Sequence, residues 1–155
     1  MQIERNSVIK QNKNQGRDPL DPIAYPELVF GLVGPAGSDL EIVTSILKSE
    51  LAKVGYDSIE IRLSKLIESF LEVNYSDQYE DTRIENLMAD GTRIRESSKR
   101  GDAVALLGIT EIRSIRNKRQ PQKKYNGTAY ILRSLKHPHE IETLKNVYGG
   151  GYFTI

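Results

Sequence analysis

The sequence predicts an α/β domain of three layers, helix, sheet and helix, around a mainly parallel sheet of about five strands. Two observations carry this. Short apolar runs bounded by glycine, such as Leu28-Val-Phe-Gly-Leu-Val-Gly34, suit strands buried on both faces. Between them lie stretches whose apolar residues recur every three or four positions, the spacing of amphipathic helices. Strand and helix alternate along the chain, as a parallel sheet with helical crossovers requires.

The elements follow in order. Residues 1–26 are rich in Asn, Gln, Lys, Arg and Asp and are broken by Pro19, Pro22 and Pro26. They are expected to form a flexible arm, because too little apolar surface is present to offset ordering. The alternative is a strap docked by Ile3, Val8 or Tyr25. The domain proper spans 27–155. After the first strand, Leu40, Val43, Leu47, Leu51 and Val54 make one face of a helix, with Ser38 and Glu41 at capping-box spacing and Gly55 at its end. Asp57 to Leu63 alternates as a second strand, and Ser64 to Val73 reads as a short helix with Leu66, Ile67 and Phe70 inward. Asp77 and Glu80 again stand at capping-box spacing, before a polar helix to about Arg100 in which Gly91 marks a break or a close approach. Asp102 to Gly108 reads as a buried strand, Thr128 to Leu132 as another, Pro138 to Gly149 as a helix, and Tyr152 to Ile155 as a last strand.

Composition narrows the function classes. The 155 residues carry 22 Lys and Arg against 21 Asp and Glu, which argues against a surface built wholly for nucleic acid or anionic lipid. With no cysteine, thiolate metal sites, disulfides and cysteine nucleophiles are excluded. No apolar run approaches the roughly 18 residues of a membrane helix, and the first residues form no signal-peptide h-region. A cytoplasmic location is expected. The chain stops on the apolar Ile155, and the expectation is an amino-terminal domain of a longer protein.

The chemistry centres on Gly34-Pro35-Ala36-Gly37-Ser38-Asp39, between the first strand and its helix. A glycine-rich turn there aims backbone N–H groups and the helix dipole at the carboxyl edge of the sheet, where ligands bind. The context is that of a P-loop nucleotide-kinase-like fold. The residues depart from the phosphate-loop pattern where its chemistry lies: Asp39 replaces the last glycine, Leu40 the lysine, and Glu41 the hydroxyl residue that holds magnesium. Phosphoryl transfer by the usual route is therefore not expected. The loop either binds a nucleotide in an altered pose, with Mg2+ as a possible companion, or takes a less charged group such as a nucleoside, or is a folding relic. Arg62 and Ser64 after the second strand, Arg95, and Arg133 after the fourth strand are further nucleotide-binding candidates. Arginine offers phosphate two parallel hydrogen bonds, although a surface ion pair also accounts for each.

Residues 113–124 hold six cations in twelve positions, among them Arg116, Lys118, Arg119, Lys123 and Lys124. They are candidates for a basic lid over phosphates or for contact with a regulatory RNA, or are a solvated loop; no aromatic residue interleaves to stack bases. His137 and His139 alone make a poor metal site.

The runs Leu28 to Leu40, Ala129 to Glu140 and Leu144 to Phe153 resemble the amino-terminal kinase-like domain of bacterial anti-phage deoxycytidine-nucleotide deaminases. The resemblance covers residues 28–155, and Arg133-Ser-Leu-Lys-His-Pro138 is its most specific part. It implies a nucleotide-binding regulatory domain whose partner is a carboxyl-terminal zinc deaminase domain, with homo-oligomers possible. It also implies that the lysine-free loop, with Gly34, Gly37, Ser38 and Asp39, is a family trait. Zinc chemistry would belong to the deaminase domain alone. That chemistry needs His-x-Glu and Pro-Cys-x-x-Cys, which this sequence lacks. The alternatives are a working nucleoside or nucleotide kinase, in which Arg95, Arg133 and the basic lid replace the lysine, and a module that docks RNA or protein.

Overall fold

A computed structural model describes residues 25–35, 38–118 and 127–155. Its strands are β1 (Leu28–Val33), β2 (Tyr56–Arg62), β3 (Gly127–Leu135) and β4 (Tyr152–Thr154); its helices are α1 (Leu40–Lys53), α2 (Leu63–Leu71), α3 (Glu80–Ser98), α4 (Ala103–Lys118) and α5 (Pro138–Tyr148). All strand pairings are parallel, in the order β2-β3-β1-β4. The domain is thus a three-layer α/β/α fold with its first strand central, as in P-loop nucleotide kinases.

The sheet divides the core in two. On one face Val29, Tyr130, Leu132, Leu135 and Tyr152 pack against Ile67 of α2, Ile94 of α3, Ile109 and Ile112 of α4 and Leu144 of α5. On the other, Leu32, Ala129, Ile131 and Tyr56 meet Leu40, Leu47 and Leu51 of α1. Among the described residues, one face carries four helices and the other one. α1 rests on β2 and β3, with little contact to β1 or β4.

Several expectations are corrected. The segment 102–108 is helix and not strand, which leaves four strands where about five were expected. A continuous apolar run is ambiguous by itself, and the recurrence of Val104, Gly108 and Ile112 on a buried face resolves it as sixteen residues of helix. Gly108 lets this helix lie close, because a Cβ there would stand 3.1 Å from a Leu63 methyl and 3.2 Å from one of Leu132. Secondly, Phe70 is exposed, and Leu63 takes the inward place with Ile67. Thirdly, α1 is capped by Asp39 and not by Ser38. Fourthly, α3 is preceded by Tyr79 as its N-cap, with no side-chain cap bond, so the Asp77 and Glu80 box does not form. Val54 is exposed, while Thr44 is buried with the sheet-facing side of α1. Gly91 interrupts nothing: α3 is continuous, and Arg95 and Ile67 crowd the space a side chain would fill.

Candidate functional site: the crevice beyond β1 and β3

Neighbouring strands β1 and β3 send their helices to opposite faces, α1 to one and α5 to the other. A crevice therefore opens beyond their carboxyl ends, the position where open parallel sheets bind ligands. The loop after β1 and the residues ending β3 meet there.

In the described part of the loop, the Ser38 N–H donates to the Pro35 carbonyl at 3.1 Å. Asp39 Oδ1 accepts from the N–H groups of Glu41 at 3.1 Å and Ile42 at 3.3 Å. The carboxylate thus takes the helix-terminal donors that a phosphate would use. Ala36 and Gly37 lie outside the described residues.

β3 supplies two cations through an irregularity. Leu32 pairs with Arg133 but Val33 with Leu135, so Ser134 is an extra residue. It adopts φ 73°, a left-handed conformation costly for a non-glycine residue. Before the bulge, Arg133 turns toward α1 and β2. Its Nη1 donates to Glu41 Oε2 at 2.8 Å and Glu60 Oε1 at 2.7 Å. After it, Lys136 crosses to the loop, where Nζ donates to the Gly34 carbonyl at 2.6 Å. Burial lowers the pKa of this ammonium, and the Glu140 carboxylate partly restores it.

Glu60 gathers the other cations. Lys48 Nζ lies 2.6 Å from Oε2, and Arg62 Nε 2.8 Å from Oε1. Burial alone would raise its pKa. The hydrogen bonds from Lys48, Arg133 and Arg62 outweigh that and hold the carboxyl at about 2. Arg62 also reaches Glu41 at 3.3 Å. Around the loop stand four cations, Lys48, Arg62, Arg133 and Lys136, against three carboxylates, Asp39, Glu41 and Glu60.

Of the expected binding residues, Gly34, Pro35, Ser38, Asp39, Arg62 and Arg133 gather at this crevice. Ser64 is half-buried in the first turn of α2. Arg95 lies beneath the site: Nη2 donates to Glu140 Oε1 at 2.6 Å, and that carboxylate is fully buried. Glu140 Oε2 accepts from the backbone N–H of Lys136 at 2.8 Å and of His137 at 3.0 Å. Arg95 therefore anchors the backbone from which Lys136 extends. Arg116 pairs with Glu27, which precedes β1, so it is at the opposite end of the sheet, about 20 Å from the loop by strand rise. The structure does not bring it over the crevice as a lid. Lys118 closes the same helix, and Arg119, Lys123 and Lys124 lie outside the described residues.

Lys136, Glu60 and Lys48 were not singled out from the sequence. A signal existed for Lys136, which follows a strand ending at the same sheet edge as the loop. Among the described residues no cluster of three or more His, Asp or Glu could hold a metal ion. The rings of His137 and His139 lie 4.8 Å apart against Gly101. Among the described residues no helix is long and apolar enough to cross a membrane. Compared with known protein-family models and with curated proteins, the chain finds no match.

Proposed function

We propose that this domain binds the phosphate end of a nucleotide in the crevice between the Gly34 loop and Lys136. In this reading it is the cytoplasmic regulatory nucleotide-binding domain of an anti-phage deoxycytidine-nucleotide deaminase. The observation that carries the binding half is the Lys136 ammonium on the Gly34 carbonyl. The loop lacks its own lysine, and the neighbouring strand brings one to its first glycine. An ammonium partly withdrawn from water gains more from an anionic oxygen than from a carbonyl. A phosphate entering the crevice can therefore take it over, with Arg133 and Arg62 at the flank.

The regulatory half of the reading rests on the resemblance of residues 28–40 and 129–153, together with the carboxylates. Asp39 caps α1 and Glu41 ties up Arg133, so phosphate binding must displace two anions. That suits a sensor with reversible occupancy better than a phosphotransferase. A magnesium ion, if it accompanies the nucleotide, would draw on the same carboxylates. Deaminase chemistry and its zinc belong to the neighbouring domain in this reading.

The test is thermal unfolding with dCTP, dCMP, dTTP, ATP and GTP, each with and without magnesium. A ligand at about 100 times its dissociation constant adds about 2.7 kcal/mol, which is readily seen. A selective shift that falls away in Lys136→Ala supports the assignment. That variant is expected to bind about tenfold more weakly, from the loss of one charge-assisted hydrogen bond. No shift with any nucleotide overturns it.

A further inference from the structure

The carboxylates already in the crevice indicate how much negative charge it is built to take. They differ in how firmly they are held. Glu60 is 14% exposed and bonded to Lys48, Arg62 and Arg133, so it is a fixed part of the network. Glu41 has a 65% exposed side chain, yet its Oε2 sits between two guanidiniums. It accepts from Arg133 Nη1 at 2.8 Å and from Arg62 Nη2 at 3.3 Å, the seat that two arginines make for an anionic oxygen. Asp39, also exposed, holds the N–H groups of Glu41 and Ile42. Both sets of donors converge on the first turn of α1, and the anions they hold there are the protein's own.

We propose that the crevice takes the single phosphate of a nucleoside monophosphate, which replaces the carboxylates of Asp39 and Glu41, and that it selects against triphosphates. The proposal rests on the nucleotide reading above and narrows it. A phosphate monoester carries about −1.5 to −2 charges at pH 7, close to the two carboxylate charges it displaces. The exchange leaves the crevice near its resting balance, with Arg62, Arg133 and Lys136 turned to phosphate oxygens. A triphosphate brings two further anionic groups. Asp39 and Glu41 are tethered to the turn they vacate, so those groups would lie beside the displaced carboxylates and beside Glu60, which its three cations retain. Like charges at such short range cost affinity even in water.

The test is titration calorimetry of the full chain with dCMP, dCTP, AMP and ATP, in EDTA and again with magnesium. Each monophosphate should bind about tenfold more tightly than the triphosphate of the same base, and magnesium should change monophosphate binding little. Arg62→Gln alters a half-exposed position, so it should stay folded by circular dichroism and weaken monophosphate binding about tenfold. In the double variant Asp39→Asn, Glu41→Gln the triphosphate should gain more than the monophosphate, and the preference should fall to about threefold or less. A triphosphate that binds as tightly as its monophosphate, with or without magnesium, overturns the inference and leaves the nucleotide reading standing. So does a preference that survives the double substitution undiminished, or monophosphate binding indifferent to Arg62→Gln. A chain that binds no nucleotide overturns the reading above, and this inference with it.

Discussion

Glu60 offers the sharpest test of the ion network that borders the crevice. Its carboxylate is 14% exposed and touches Lys48, Arg62 and Arg133 within 2.8 Å. The folded carboxyl titrates at about 2, against 4.5 ordinarily. At about 1.36 kcal/mol per pKa unit, the charged form contributes about 3 kcal/mol, or about 2 kcal/mol once solvent screening of the half-exposed cations is allowed for. The sign follows from the depressed folded pKa. The contribution is complete above the unfolded value of 4.5 and is lost as pH falls toward 2. Glu60→Gln keeps shape and removes charge, so it should lower the melting temperature at pH 7 by about 6 °C in a domain of this size. The measurement is thermal unfolding of wild type and variant from pH 7 to pH 2.5, followed by circular dichroism. The gap between them should narrow below pH 4.5. Other carboxyls titrate in that range, including Asp102, held at about 2 chiefly by Arg100. They act equally on both proteins and cancel in the difference. A gap that is absent at pH 7, or that persists undiminished at pH 2.5, refutes the assignment of the network to Glu60.

The carboxylates nearest the loop should act in the other direction on binding. Glu41→Gln, at a mostly exposed position, should change stability by less than about 1 kcal/mol in urea unfolding but tighten nucleotide binding about fivefold by titration calorimetry, since one anion near the phosphates is gone. Asp39→Asn should keep the cap and also tighten binding, whereas Asp39→Ala should cost about 1 kcal/mol in urea unfolding. Arg95→Met strands the buried Glu140 carboxylate and should cost about 3 kcal/mol or more in urea unfolding.

How much of this was legible in the sequence depends on what each residue answers to. The first strand, its loop and its helix are local, and Leu28 to Leu51 declare them through a run, a glycine turn and a period. The segment 102–108 misleads because a helix buried on one face by neighbouring helices and on another by the sheet has no polar side to show within seven residues. Its period emerges only when Ile109, Ile112 and Ile115 are read with it. The cap of α1 was misassigned by one residue for a related reason. Ser38 and Asp39 are both good caps by type, and only the path of the loop decides which side chain reaches the free N–H groups.

The cations of the crevice were partly hidden by a backbone irregularity that no residue type announces. In a regular strand Arg133 and Leu135 would share a face, with Leu132 and Ser134 on the other. The extra residue at Ser134 reverses this. Leu135 joins the core beside Leu132, Arg133 stays on the α1 side with Glu60 and Glu41, and Lys136 is carried to Gly34. Serine is a poor residue for a positive φ, so nothing in the type suggested a bulge. What holds it is tertiary: Leu135 is fully buried, and the Lys136 and His137 N–H groups are fixed by Glu140, itself fixed by Arg95. The strain at Ser134 is thus balanced by an ion pair 45 residues apart in the chain, and it sets where two cations stand relative to the loop. Backbone strain held in place by such tertiary contacts is the pattern expected when positioning matters more than local stability. The end of β3 thus shapes this crevice as much as the glycine loop does.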